Sequence, residues 1–117
     1  MLILNPGIRQ RIWLYTQPTD MRKSFNGLIG IIQGLLQDNA QSGDWFVFIN
    51  RRKTHIKVLY FDGTGFCIWF KRLEQGQFNF RASGQQKKAL DFAGLQLLLA
   101  GMEVQKYKQY KRLSAAA

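Results

Sequence analysis

One cysteine, one histidine and seven acidic residues are all that 117 positions hold of the side chains from which metal centres and catalytic triads are most often built. The lone Cys67 can form no disulfide within the chain, and such usage suits a reducing cytoplasm. It stands among Phe66, Ile68 and Trp69, where a buried, inert thiol is expected. His55 opens a strand beside "RRKT", a setting for a surface or phosphate-contacting ring more than for a general base. Long apolar runs are missing too. The most apolar helical stretch, "GLIGIIQGLL" (27–36), is about half a membrane span. The opening "MLILNPGIRQRIWLY" is broken by Pro6, Gly7 and Arg9, so neither a spanning helix nor a secretory signal is expected. A soluble protein follows from this reading.

The few carboxylates have structural work in prospect. Asp20 and Asp91 precede helical patterns as caps, and Asp62 opens the tight turn "DGTG". Asp38 and Asp44 flank a polar loop, and Glu103 lies near the end of the chain. That leaves Glu74, itself in the turn "LEQG". Asp62 and Glu74 belong to opposite ends of one strand, about 20 Å or more apart at a strand's rise, which is too far to share a cation. "DGTG" lacks the lysine and the following helix of a phosphate-cradling loop. The reading gives no catalytic residues, no metal, no cofactor and no small-molecule substrate.

What the chain has in abundance is positive charge and apolar bulk. Seventeen Lys and Arg give a formal net charge of +10, and 46% of residues are hydrophobic. The apolar share is ample for one packed domain. A charge imbalance of this size costs self-repulsion on folding and points to a polyanionic partner, nucleic acid first.

Patterning predicts an α+β fold: an antiparallel meander with one longer N-terminal helix and one shorter C-terminal helix packed on it. "IRQRIWLYT" (8–16) reads as a strand, with Ile8, Ile12 and Leu14 on one face and Arg9, Arg11, Trp13 and Tyr15 on the other. A helix follows Pro18, capped by Thr19 or Asp20, with Met21, Phe25, Leu28, Ile32 and Leu35 as its buried stripe. Gly27, Gly30 and Gly34 suggest a backbone pressed against another element. Strands are predicted at 45–50, 55–61 and 66–71, joined by hairpins at "RRKT" and "DGTG". A further strand is expected at "QFNFR" (77–81), then a loop at "SGQQKK" and a short helix capped by Asp91 and ended by Gly101. Residues 1–102 are read as the single domain and 103–117 as a basic, exposed tail.

Up-and-down strand direction brings "RRKT" and "KRLEQG" to one end of the sheet. Arg51, Arg52, Lys53, Lys71 and Arg72 are therefore the expected contact patch, supported by Arg22, Lys23, Lys57 and Arg81. Arg22 and Lys23 fall in the first helical turn, where they oppose the dipole. Such cations would neutralise phosphates and release counterions. Trp13, Trp69 and the phenylalanines could offer stacking surface, although core packing is the ordinary use of such residues.

"TDMRKSFNGL", "FVFINRRKTHIKVLYFDGTGF", "WFKRLEQGQF" and "LQLLLAG" resemble the small accessory proteins of the insertion-sequence-66 family of bacterial transposons. The resemblance runs from about Ile8 to Met102 and preserves motif order and spacing. Two details depart from the usual pattern: Phe80 and Arg81 stand where Trp-Pro is common, and Lys-Thr-His follows Arg51-Arg52. The resemblance implies a protein encoded beside a larger, separate transposase and needed for transposition, with no catalytic residues to carry over. It puts Arg22, Lys23, Arg51, Arg52, Lys57, Lys71 and Arg72 on motif positions. Charge and resemblance together give the leading expectation, a non-enzymatic accessory protein in the bacterial cytoplasm or nucleoid that binds DNA at the transposon's ends. The alternatives are an adaptor docked on the transposase, an RNA binder, and a nuclease using Asp62 and Glu74.

Overall fold

The computed structural model describes residues 10–81 and 84–101. In chain order its elements are β1 (Ile12–Tyr15), α1 (Phe25–Gly30) continued by a wider π-type turn (Ile31–Leu35), β2 (Trp45–Ile49), β3 (His55–Phe61), β4 (Phe66–Arg72), β5 (Lys87–Leu90) and α2 (Phe92–Leu99). The strands form one sheet in the order β4-β3-β2-β1-β5. The fold is α+β, and the first helical segment is the longer of the two. The expected tail 103–117, like Ile8 and Arg9, lies outside the described residues. Among the described residues no helix is long and apolar enough to cross a membrane.

β2, β3 and β4 form the predicted meander, antiparallel throughout and turned at "RRKT" and "DGTG". β1 departs from it. It pairs with β2 in parallel, the connection passing through α1, so the sheet is mixed. "QFNFR" is not a strand. Phe78 is fully buried against the α2 face, and its amide donates to the Lys53 carbonyl (2.7 Å). Phe78 and Phe80 alternate as strand residues do, but they serve to lay the segment across the core. The last strand is instead β5, partly within the stretch read as loop, and it runs antiparallel to β1. Its Lys87 is held by Asp38 (2.9 Å) and lies over the Trp13 ring (4.1 Å).

β2 is buried at every position, as a central strand covered on both faces must be. Phe46 and Phe48 join Tyr15, Leu59 and α1's Leu28 on one face; Val47 and Ile49 join Leu14, Val58, Phe78 and α2's Leu95 and Leu98 on the other. Completely burying each such side chain contributes about 1.5–3 kcal/mol. The helix stripe is rotated from the predicted one: Leu28, Ile31 and Ile32 are buried, whereas Phe25 and Leu35 are exposed. Nothing approaches Gly30 or Gly34, so close packing does not explain them. Gly27 faces only the Lys23 side chain.

The helix also begins later than predicted. Asp20 caps a turn, not α1: its carboxylate accepts from the Arg22 amide, and the Lys23 amide bonds the Asp20 carbonyl. Lys57 supplies the reason. Its ammonium donates to the Met21 (2.8 Å) and Lys23 (2.7 Å) carbonyls, and in a helix starting at Asp20 those oxygens would accept from amides four residues on. Arg22 and Lys23 therefore precede the helix. Asp91, by contrast, caps α2 as expected, accepting from the Gly94 amide (2.6 Å), and Gly101 takes the left-handed conformation (φ 75°) beyond its end.

Candidate nucleic-acid interface

The tip between β2 and β3 is built by Asn50. Its side-chain oxygen accepts from the Thr54 (2.9 Å) and His55 (3.0 Å) amides, and its carbonyl accepts from Lys53 (3.0 Å). Closing this turn forces Lys53 to φ 60°, a region more natural to glycine or asparagine. The loop's far side is stapled to the segment after β4: Leu73 donates to Thr54, Phe78 to Lys53, and the Gln77 side chain to the Arg52 carbonyl. These bonds fix the backbone of the tip, and none of them uses either arginine side chain.

Pairing of His55 with Arg72 and of Ile56 with Lys71 does bring the two basic stretches to one end of the sheet. Their side chains are not equally available. Arg51 and Arg52 are exposed, and among the described residues neither side chain has a hydrogen-bond or ion-pair partner. Lys53 lies over the Phe80 ring (4.8 Å). Arg72 is exposed but bound to Glu74 (2.8 Å). Lys71 turns to the α2 face and donates to the Leu99 carbonyl (2.9 Å), where a cation complements the helix's negative end. Arg22 is exposed and engaged by Asp20 (2.7 Å), while Lys23 and Arg81 are exposed.

Lys57 is a correction. At 8% exposure it is withheld from any phosphate, donating to two carbonyls and lying over the Phe70 ring (4.8 Å). Lys71 is likewise committed inside the fold. Of the predicted patch, Arg51, Arg52, Lys23 and Arg81 are exposed with no side-chain partner among the described residues, while Lys53, Arg22 and Arg72 are each engaged.

Arg51 and Arg52 line a cleft that sequence reasoning missed. Pro18, Thr19, Asp20 and Met21 form one wall, and Asn50, Arg51 and Arg52 the other, enclosing about 450 Å³. The walls meet because the Thr19 amide donates to the Ile49 carbonyl (2.9 Å) at the end of β2. Within it Asp20 is held down to about 2 by the Arg22 side chain first and then the Arg22 amide. A second cleft of about 430 Å³ lies between His55, Phe70, Arg72 and Glu74. Asn50 and Thr54 lie within reach of His55 Nδ1 (3.3 and 2.8 Å), and the ring stands 5.8 Å from that of Phe70.

Of the aromatics considered for stacking, Trp13 donates to Asp44 (3.2 Å) and carries Lys87, and Trp69 packs on the core; both are half-buried. Among the described residues the exposed rings are Phe25 on α1 and, more fully, Phe70 on β4. The place of Phe70 at an edge strand gave no local signal.

The acidic groups are separated as the register requires. Asp62 lies beyond the Phe61–Phe66 pair and Glu74 beyond the His55–Arg72 pair, at opposite ends of the β3–β4 hairpin. Asp62 accepts from the Thr64 and Gly65 amides and the Thr64 hydroxyl, and these bonds hold its carboxyl below the usual range. Cys67 is half-buried, not buried, and its thiol lies 3.7 Å from Asp62 on the edge strand.

The sequence pattern that defines the family described as "IS66 Orf2 like protein" matches residues 10–109. The chain belongs to that family. As an IS66 Orf2-like protein it is an accessory protein of an insertion sequence. Two relatives from Sinorhizobium fredii (strain NBRC 101917 / NGR234) agree along nearly their whole lengths. Uncharacterized protein y4hO is 36% identical over 101 residues, 86% of this chain and 88% of the relative. Uncharacterized protein y4jC is 31% identical over 107 residues, 92% of each. No solved structure matches the chain.

Proposed function

We propose that this IS66 Orf2-like protein binds DNA, with the transposon's ends as its target, and has no catalytic role of its own. The observation that carries the reading is the pair of exposed arginines on a backbone-locked tip, unpartnered among the described residues, in a chain of net charge +10. Arginine forks suit phosphate oxygens, and each phosphate neutralised adds to the salt dependence of binding. Lys53, Arg22, Lys23, Arg72 and Arg81 act as the surrounding field. The carboxylates that a nuclease would recruit are engaged elsewhere, Asp62 by its own turn and Glu74 by Arg72.

The test is a salt titration of binding to the element's terminal duplex beside a scrambled duplex of equal length, repeated with R51E/R52E. Loss of a salt-sensitive shift in the double variant is expected, with the slope of log affinity against log salt falling by about 0.9 per contact removed. Unchanged binding removes the tip from the interface, and tighter binding of single-stranded RNA redirects the partner.

One observation favours a second reading, an adaptor docked on the transposase: β4 is a sheet edge, and its Phe70 is 53% exposed. Co-purification with the transposase under nuclease treatment, by a protein with no affinity for free DNA, selects it.

A further inference from the structure

We infer that the cleft between residues 18–21 and 50–52 is a seat for a phosphate group, with the Thr19 hydroxyl as its inner donor and Arg51 and Arg52 as its cationic wall. The inference rests on the nucleic-acid reading above and narrows it to one subsite.

Three observations converge. Thr19 is only 3% exposed, and its hydroxyl oxygen is buried without a hydrogen-bond partner among the described residues. Buried hydroxyls are nearly always bonded, and Thr19 lines the cleft, so its hydroxyl is a donor left for an occupant to satisfy once the side chain turns toward it. Thr19 is also fixed, since its amide is held by the Ile49 carbonyl and the Met21 carbonyl two residues on is held by Lys57. Finally, the cleft lies just past the carboxyl ends of β1 and β2, the parallel pair, so both of its walls are anchored on the sheet.

Chemistry selects the occupant. Two exposed guanidiniums and a hydroxyl donor favour a tetrahedral oxyanion with several acceptor oxygens. Asp20 also lines the cleft, but its carboxylate is saturated by Arg22 (2.7, 3.0 and 3.1 Å to the guanidinium, 2.9 Å to the amide), so it presents an occupied group. At about 450 Å³ the space falls within the roughly 300–1,000 Å³ of small-ligand sites, enough for a phosphate with its sugar attached. A phosphodiester within a strand and a terminal phosphate share this chemistry.

The experiment titrates the full chain with inorganic phosphate against chloride at matched ionic strength, following backbone amides by NMR, in wild type, T19V and T19S. Wild type should saturate with shifts centred on Thr19, Arg51 and Arg52. T19V keeps the shape and drops the hydroxyl, so it should weaken phosphate about tenfold or more. Its melting temperature should stay level or rise, and T19S should restore binding. Parallel arms use duplexes with and without a 5′-phosphate. A T19V loss on both identifies a backbone phosphodiester, and a loss only with the 5′-phosphate identifies a terminal group. A T19V protein titrating like wild type, or shifts that spread over all basic residues without saturation, overturns the seat. If R51E/R52E then still abolishes the DNA shift, the broader reading stands without it. Saturable phosphate binding by a protein that ignores DNA keeps the seat and ends the DNA reading.

Discussion

β3 ends in two turns built by the same device and charged in opposite senses. At its start the Asn50 side-chain oxygen gathers the Thr54 and His55 amides; at its finish the Asp62 oxygen gathers those of Thr64 and Gly65. Either side chain can stand in for a backbone acceptor. The aspartate adds a negative charge where no cation needs to be free. The asparagine makes the same bonds and adds none, so the charge of Arg51 and Arg52 is left uncancelled. The left-handed residue differs in parallel: Gly63 (φ 103°) bends the acidic turn without strain, while Lys53 (φ 60°) bends the basic one. A cation is kept where glycine would be the easier choice.

The hardest way to break the contrast is from beneath. Phe78→Ala empties a fully buried site under the basic tip and should cost about 3–5 kcal/mol by chemical denaturation. Amide exchange should accelerate at residues 50–54 before it does at 62–65. Lys57→Met comes next, leaving the Met21 and Lys23 carbonyls without their donor at a cost of about 1–3 kcal/mol. The 18–24 loop should loosen and DNA affinity fall with it. A variant with wild-type stability would mean that the ammonium does not hold the loop.

Exchanging the two turn anchors sharpens the comparison directly. N50D preserves the acceptor, gives up the Nδ2 donor to the Thr54 hydroxyl (3.1 Å) and adds one charge beside the arginines, so DNA affinity should drop about fivefold, near 1 kcal/mol, with stability falling by about 1 kcal/mol or less. D62N at the other end should leave affinity within about twofold, since that turn lies a strand's length away. Equal effects from both would show that only net charge matters.

The smallest effect is acid titration. Asp20's carboxyl is lowered from 3.8 to about 2 in the folded protein, so the stability it adds is complete above 3.8 and disappears as pH falls through about 2. Asp62, also lowered, acts in the same direction. Carboxyl-carbon NMR should find the Asp20 midpoint near 2; a midpoint near 3.8 would mean that Arg22 does not grip it in solution.

Turn chemistry was legible because it is local: "DGTG", the tip after Asn50, and the Asp91 cap each announce themselves within five residues. Lys57 was not. Strand alternation puts it between Ile56 and Val58 without saying which loop covers it, and the carbonyls it serves lie 34 and 36 residues earlier. β5 escaped for a similar reason, since Lys87 reads as loop until Asp38, 49 residues away, is opposite it. Periodicity carries no strand direction either, so the parallel β1–β2 pair, and with it the cleft at their ends, could not be foreseen. Thr19 gave no signal at all, because an orphaned hydroxyl exists only once its surroundings are built.

Lys57 has one more consequence. Mobile ions crowd around Arg51 and Arg52 and blunt their pull as salt rises, but they cannot reach an ammonium sealed under the wall of the cleft. Its charge is spent on the Met21 and Lys23 carbonyls, so rising salt should release DNA from Arg51 and Arg52 well before it loosens the 18–24 loop that the ammonium holds.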